Sequence, residues 1–294
     1  MLGIPAGKSE RAVESGERRR QHLLQVELIG LLAAFSLGPV DRLRIAGHTP
    51  CTAVCHRRQV NRADGTLDEM RQNRILDSVS TADGRELVLY QRDELFTIRI
   101  DGVELMSNRS YGSEEKLARL GCAVLGPRTA PRILVGGLGM GFTLRSVLDE
   151  LRGQRDAEIV VAELFPTVVQ WSRTWFGRLA NHPLEDPRVQ LVEGDVCRLL
   201  AMSSQTFDLV LLDVDNGPEA LTLDTNAHLY TPRGITMVRN ALRPCGVAAV
   251  WSAGHDVEFA NRLQRGGFEA EVHQVWSRPG GKGERHVIFI GRRT

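Results

Sequence analysis

Nowhere does the chain offer the run of about 18 apolar residues that a membrane-spanning helix needs. The nearest stretch, HLLQVELIGLLAAFSLGPV at 22–40, is interrupted by Gln25 and Glu27. The basic ERRR before it lies far from Met1 and no small-residue cleavage site follows, which sets a signal peptide aside. Charge of one sign is also lacking. Lys and Arg number 37 against 36 Asp and Glu, a net charge of +1, so no broad field for nucleic acid or a membrane surface exists. Five scattered cysteines (51, 55, 122, 197, 245) do not make a disulfide framework and fit a reducing, cytoplasmic setting. Cys51, Cys55 and His56 sit together in CTAVCH without a fourth ligand. The remaining histidines are spread out, so no metal is expected. A GxSxG elbow and a GxxxxGK[ST] phosphate loop are both missing, which excludes the common serine hydrolase and P-loop nucleotidase chemistries.

What is present falls into three zones. Residues 1–70 are Arg-rich with one helical stretch near 18–36, and read as a mobile extension; Met70 is a candidate start of the working protein. Residues 71–110 alternate apolar and polar side chains in ELVLYQRDELFTIRIDGVELM, with turns at Arg92-Asp93 and Asp101-Gly102, and predict a small antiparallel sheet of about three strands. Residues 111–294 alternate strand and helix. A helix over SEEKLARLGCAVL opens this zone, followed by RILVGG, FTLRSVLDEL, AEIVVAEL, TVVQWSRTWFGRL, RVQLVEGD and FDLVLLDVD. Thr231 caps a helix with Pro232 at its first position, then come GVAAVWS, DVEFANRLQRGG and a final antiparallel pair. The pattern predicts an α/β fold: a doubly wound, seven-stranded, mostly parallel Rossmann-like sheet with a small N-terminal antiparallel β-domain. In the second helix Val168, Trp171, Trp175 and Leu179 are expected on one buried face.

In open parallel sheets ligands bind at the carboxyl ends of the strands, so the residues there matter most. The first strand ends in GGLGMG, containing Gly136, Gly137, Gly139 and Gly141, a turn that lets backbone approach a ligand closely. The second ends in Glu163, 22 residues after Gly141, where an acid accepts both hydroxyl protons of a ribose. The third ends in Asp195, placed to accept from an adenine amino group, to cap the following helix, or both. The fourth ends in Asp213, with Asp215 two residues on, in LLDVDNGPEAL. One such acid means little. Four successive strand ends of this kind describe an adenosine pocket with no phosphate clamp, which points to S-adenosylmethionine or a relative.

Residues 84–291 also resemble the spermidine synthase (polyamine aminopropyltransferase) family, within the methyltransferase-like fold. The resemblance rests on the small β-domain and on ILVGGLGMGFTLRSVL, VVAEL, DPRVQLVEGD and FDLVLLDVDNGP. It implies a transferase moving an aminopropyl group from decarboxylated S-adenosylmethionine to a small-molecule amine. Asp213 would be the catalytic acid, Glu163 the ribose ligand, Asp195 the adenine ligand, and the β-domain would pair in a homodimer. Three departures accompany it. The family's loop aspartate, which holds the donor amino group, is replaced at Gly139. The aspartate-rich loop is the shorter DVDNGP, with Asp215 a loose equivalent of its second acid. Glu114 and Glu115 stand where the family has Tyr-His, and are candidate amine ligands or simple helix N-terminal acids. A methyltransferase using S-adenosylmethionine itself, or a non-catalytic nucleoside-binding relative, are the alternatives.

Overall fold

The computed structural model describes residues 73–81, 84–214 and 226–294, with Asn226 and Ala227 described by backbone alone; all lie within one unit, Ala63–Thr294. The Arg-rich zone and Asp215 lie outside the described residues.

Four strands, β1 (Arg74–Ser80), β2 (Glu86–Arg92), β3 (Leu95–Ile100) and β4 (Val103–Ser107), form an antiparallel meander in sequence order. The turn Asp101-Gly102 falls as expected, with φ of +48° and +80° suiting a tight hairpin. The preceding turn is one residue later than expected, at Asp93-Glu94. The additional strand, β1, escapes period-two reading because a bulge between Ile75 and Asp77 breaks the alternation and Ile75 stays 57% exposed.

The second sheet has seven strands: β5 (Arg132–Gly136), β6 (Glu158–Glu163), β7 (Val189–Glu193), β8 (Phe207–Leu212), β9 (Leu242–Ser252), β10 (Phe268–Arg278) and β11 (Lys282–Arg293). Their order is β10-β11-β9-β8-β5-β6-β7; β5 to β9 are parallel and the β10–β11 hairpin antiparallel. β5 lies between β6 and β8, so the chain leaves it in opposite directions across the sheet. That switch point opens a crevice beyond the strands' carboxyl ends.

The central strands read as continuous apolar runs because both faces are covered. Ile133, Val135, Leu209 and Leu211 meet α1 (Gly112–Leu125) and α2 (Phe142–Glu150) through Leu117, Leu144, Val147 and Leu148. Leu134, Val210 and Leu212 meet the helices of the other face: α4 (Val196–Met202), α5 (Pro232–Ala241) and α6 (Val257–Arg265). Thr231 caps α5 as expected, accepting from the Gly234 amide at 3.2 Å.

One expected helix is broken. α3 (Pro166–Trp171) gives way to a π-helical turn at Ser172–Phe176 and a 3₁₀ turn at Gly177–Ala180. The wider turn rotates the residues that follow. Trp171 is 1% exposed and Phe176 fully buried, while Trp175 is 37% exposed instead of sharing the buried face. Trp171 and Phe176 pack with Leu87, Leu89, Phe96 and Ile98 of the small sheet, and the Trp171 indole donates to Asp77 Oδ2 at 2.8 Å. The same cluster takes in Met140 and Phe142, so the small sheet is set directly against the glycine loop.

Candidate active site

The site is built where β5, β6, β7 and β8 end. The Gly137 amide donates to the Ala162 carbonyl at 2.8 Å and the Asp213 amide to the Gly136 carbonyl at 2.9 Å, which ties the loop to β6 and β8. Gly137 has φ +91°, and a Cβ there would lie 2.3 Å from the Asp213 carbonyl oxygen. Only glycine permits that backbone-to-backbone approach. At Gly139, φ +51°, a Cβ would come within 2.9 Å of the Met106 sulfur from β4.

Glu163 is 6% exposed and braces the loop it faces. Its Oε2 accepts from the Leu138 amide at 2.9 Å, with the Gly139 amide at 3.5 Å, and Oε1 accepts from Phe165 at 2.9 Å. Asp195 caps α4, its Oδ1 accepting from the Cys197 amide at 2.7 Å. Cys197 itself is no nucleophile: burial first, then Asp195, push its thiol up to about 12.

Glu163, Asp195 and Asp213 line one pocket of about 620 Å³ including its open mouth, and Gly137 and Gly139 line it too. Leu105 and Met106 of the small sheet, with Leu164, Phe165 and Val168, form its apolar walls. Gly136 and Gly141 are not in the lining; Gly136 anchors Asp213, and Gly141 precedes α2 with φ +89°. Among the described residues lining the pocket there is no Lys or Arg, and no group of His, Cys, Asp and Glu suited to a metal occurs among the described residues.

Of the two helix-start acids, Glu114 approaches Asp213. Burial above all, then Asp213 and Glu115, hold the Glu114 carboxyl well above the usual carboxylate range. Glu115 lines a separate groove beside Lys116 and Arg119, with its Oε2 4.0 Å from the Arg119 guanidinium. Sequence reasoning missed Thr143. Its hydroxyl donates to Asp213 Oδ2 at 2.5 Å, and the residue is 1% exposed. The signal was a polar side chain in the first turn after the glycine loop, off the apolar stripe of α2. His228 is exposed and its carbonyl accepts from Thr231, whereas the buried Tyr230 donates its hydroxyl to the Val214 carbonyl at 3.2 Å.

The strand order and the row of acids at the strand ends define a methyltransferase-type α/β protein with an added N-terminal β-sheet. Within that class, residues 116–261 match the family model described as the spermine/spermidine synthase domain. The polyamine aminopropyltransferase of Nitrosomonas europaea is 31% identical over 157 residues, 52% of this chain and 44% of that protein. Polyamine aminopropyltransferase 1 of Streptomyces coelicolor is 30% identical over 132 residues, 44% of this chain and 23% of that protein. The aligned parts thus span less than half of either relative. Among solved structures, a spermidine synthase in complex with the transition-state analogue AdoDATO superposes with a TM-score of 0.61 at 19% identity, covering 75% of this chain and 74% of that one. The spermidine synthase of Thermotoga maritima gives 0.59 at 19% identity, covering 75% and 73%. These likenesses bear out the fold and the family resemblance read from the motifs.

Proposed function

We propose that this protein transfers an aminopropyl group from decarboxylated S-adenosylmethionine to a small-molecule amine. One observation carries the reading: Asp213 and Glu114 converge beside a pocket whose charged lining, among the described residues, is acidic. Both substrates suit that charge. The donor is a sulfonium cation. The acceptor amine is protonated in water, with a pKa of about 10 by analogy with lysine. Glu163 and Asp195 hold the nucleoside, the first through ribose hydroxyls and the second through the adenine amino group, while Leu164, Phe165 and Val196 flank the base. Asp213 accepts a proton from the acceptor nitrogen, whose lone pair then attacks the carbon beside the sulfonium. The carbon–sulfur bond breaks and its electron pair leaves with the thioether. Holding the two cations side by side supplies the proximity that this substitution requires. Such diffusible substrates agree with the cytoplasmic setting expected from the scattered cysteines.

A second reading, methyl transfer from S-adenosylmethionine itself, draws support from Gly139, where the Met106 sulfur occupies the space of a side chain. Calorimetric titration with the two donors separates them. Decarboxylated donor is expected to bind roughly tenfold or more tightly, because a donor carboxylate meets like charge in this pocket. Tighter binding of the carboxylated donor would favour methyl transfer, and binding of neither would leave a non-catalytic relative.

A further inference from the structure

We propose that Thr143 is a positioning residue that fixes Asp213 as the charged member of the Glu114–Asp213 pair, a role that deepens the transfer reading. A hydroxyl has one proton to give. Thr143 Oγ1 lies 2.5 Å from Asp213 Oδ2 but 3.5 Å from the Glu114 carbonyl, so the proton goes to the carboxylate. That short distance is the mark of a charge-assisted O–H···O⁻ bond. The branched side chain is stiff about its first torsion and buried, which holds the donor in its aim. Main-chain ties act together with it, since the Asp213 amide is already bonded to Gly136. One turn along α2, the Ser146 hydroxyl donates to the Glu115 carbonyl at 3.2 Å. Ser146 thereby fastens the first turn of α1, which carries Glu114, to the helix that carries the donor of Asp213.

The electrostatic need for such a donor is clear from what faces Asp213. Glu114 approaches from α1, whose Glu115 turns to the outer groove, and Glu163 and Asp195 line the same pocket from the neighbouring strand ends. His286 of β11 touches Ser113 at 3.0 Å, and burial lowers its pKa, so it does not supply a compensating cation at neutral pH. Every one of these acids favours a proton on Asp213. A hydrogen bond given to the charged form opposes them. Without it, the surrounding acids would favour a proton on the carboxylate that must accept the amine's proton.

Carboxyl ¹³C NMR titration tests this without requiring turnover, with the Asp213 resonance assigned by its loss in Asp213→Asn. Thr143→Val is expected to raise the Asp213 midpoint by about one pH unit, and Thr143→Ser to restore it. The acid limb of the kcat profile is expected to move upward with it, kcat at neutral pH falling on the order of tenfold. A structural role alone would lower thermal stability and leave the midpoint in place. Should Thr143→Val fail to fold, Thr143→Ala gives the same reading. A midpoint in the folded variant equal to that of the unaltered protein overturns the proposal. Because the titration reads the carboxyl directly, an unaltered protein that transfers nothing would end the transfer reading while the midpoint still decides this one.

Discussion

Asp213→Asn is expected to slow aminopropyl transfer by about 10²–10⁴-fold, the usual contribution of a positioned proton acceptor, while changing donor affinity by no more than a few-fold. The substitution keeps the size of the side chain. It also keeps an oxygen able to accept from Thr143, and the main-chain tie to Gly136 does not involve the side chain at all. What it removes is the ability to take a proton and one of the negative charges of the pocket. Glu163 and Asp195 are untouched, so the nucleoside part of the pocket should bind as before. Steady-state rates with a diamine acceptor, paired with donor calorimetry, check both halves. A variant with unchanged turnover would remove Asp213 from the chemistry, and one that loses donor binding as well would make it a structural residue.

Glu163→Gln is expected to have the opposite signature, a loss of donor affinity on the order of 10²-fold together with a lower melting temperature. Glu163 accepts backbone amides on both oxygens, from Leu138 and from Phe165, each at 2.9 Å. Glutamine is the same shape, but one oxygen is replaced by an amide NH2 that donates and so faces a backbone amide hydrogen. One brace of the glycine loop then turns from attraction to repulsion in a site that is 6% exposed. The charge that would accept from ribose hydroxyls is lost at the same time. Titration calorimetry and thermal melts read the two effects separately. Donor affinity equal to that of the unaltered protein would mean that Glu163 only holds the loop.

The contrast between these two acids shows what the amino-acid sequence could and could not convey. Strand ends were legible because parallel strands covered on both faces are unbroken apolar runs, and an acid that interrupts such a run marks its exit. Glu163 and Asp213 were found in that way, and Asp195 from the EGD turn that follows the edge strand β7; all three line one pocket. The glycine loop was legible as a spacing. Which of its glycines matter was not, since that depends on the Asp213 backbone, 76 residues further along the chain, approaching Gly137. The break in α3 was hidden because the spacing of Trp171 and Trp175 suits an uninterrupted helix, and a π-helical turn has no signature in hydropathy alone. β1 was hidden by its bulge. Thr143 stayed hidden for a related reason: an isolated threonine in a helix is unremarkable until the fold brings α1, α2 and β8 to a common point. Glu114 and Glu115 were indistinguishable as neighbours in sequence, and adjacent helical positions lie about 100° apart around the axis. One therefore reaches Asp213 and the other the outer groove with Arg119. Asp215 lies outside the described residues, and Asp213 carries the proposed chemistry here.

Aminopropyl transfer is tested most directly by incubating the purified protein with decarboxylated S-adenosylmethionine and putrescine and following both products by mass spectrometry. The account predicts an acceptor heavier by one aminopropyl unit and an equal amount of 5′-methylthioadenosine. Intact substrates under conditions where calorimetry shows both to be bound, or a methylated acceptor formed only from the carboxylated donor, would contradict it.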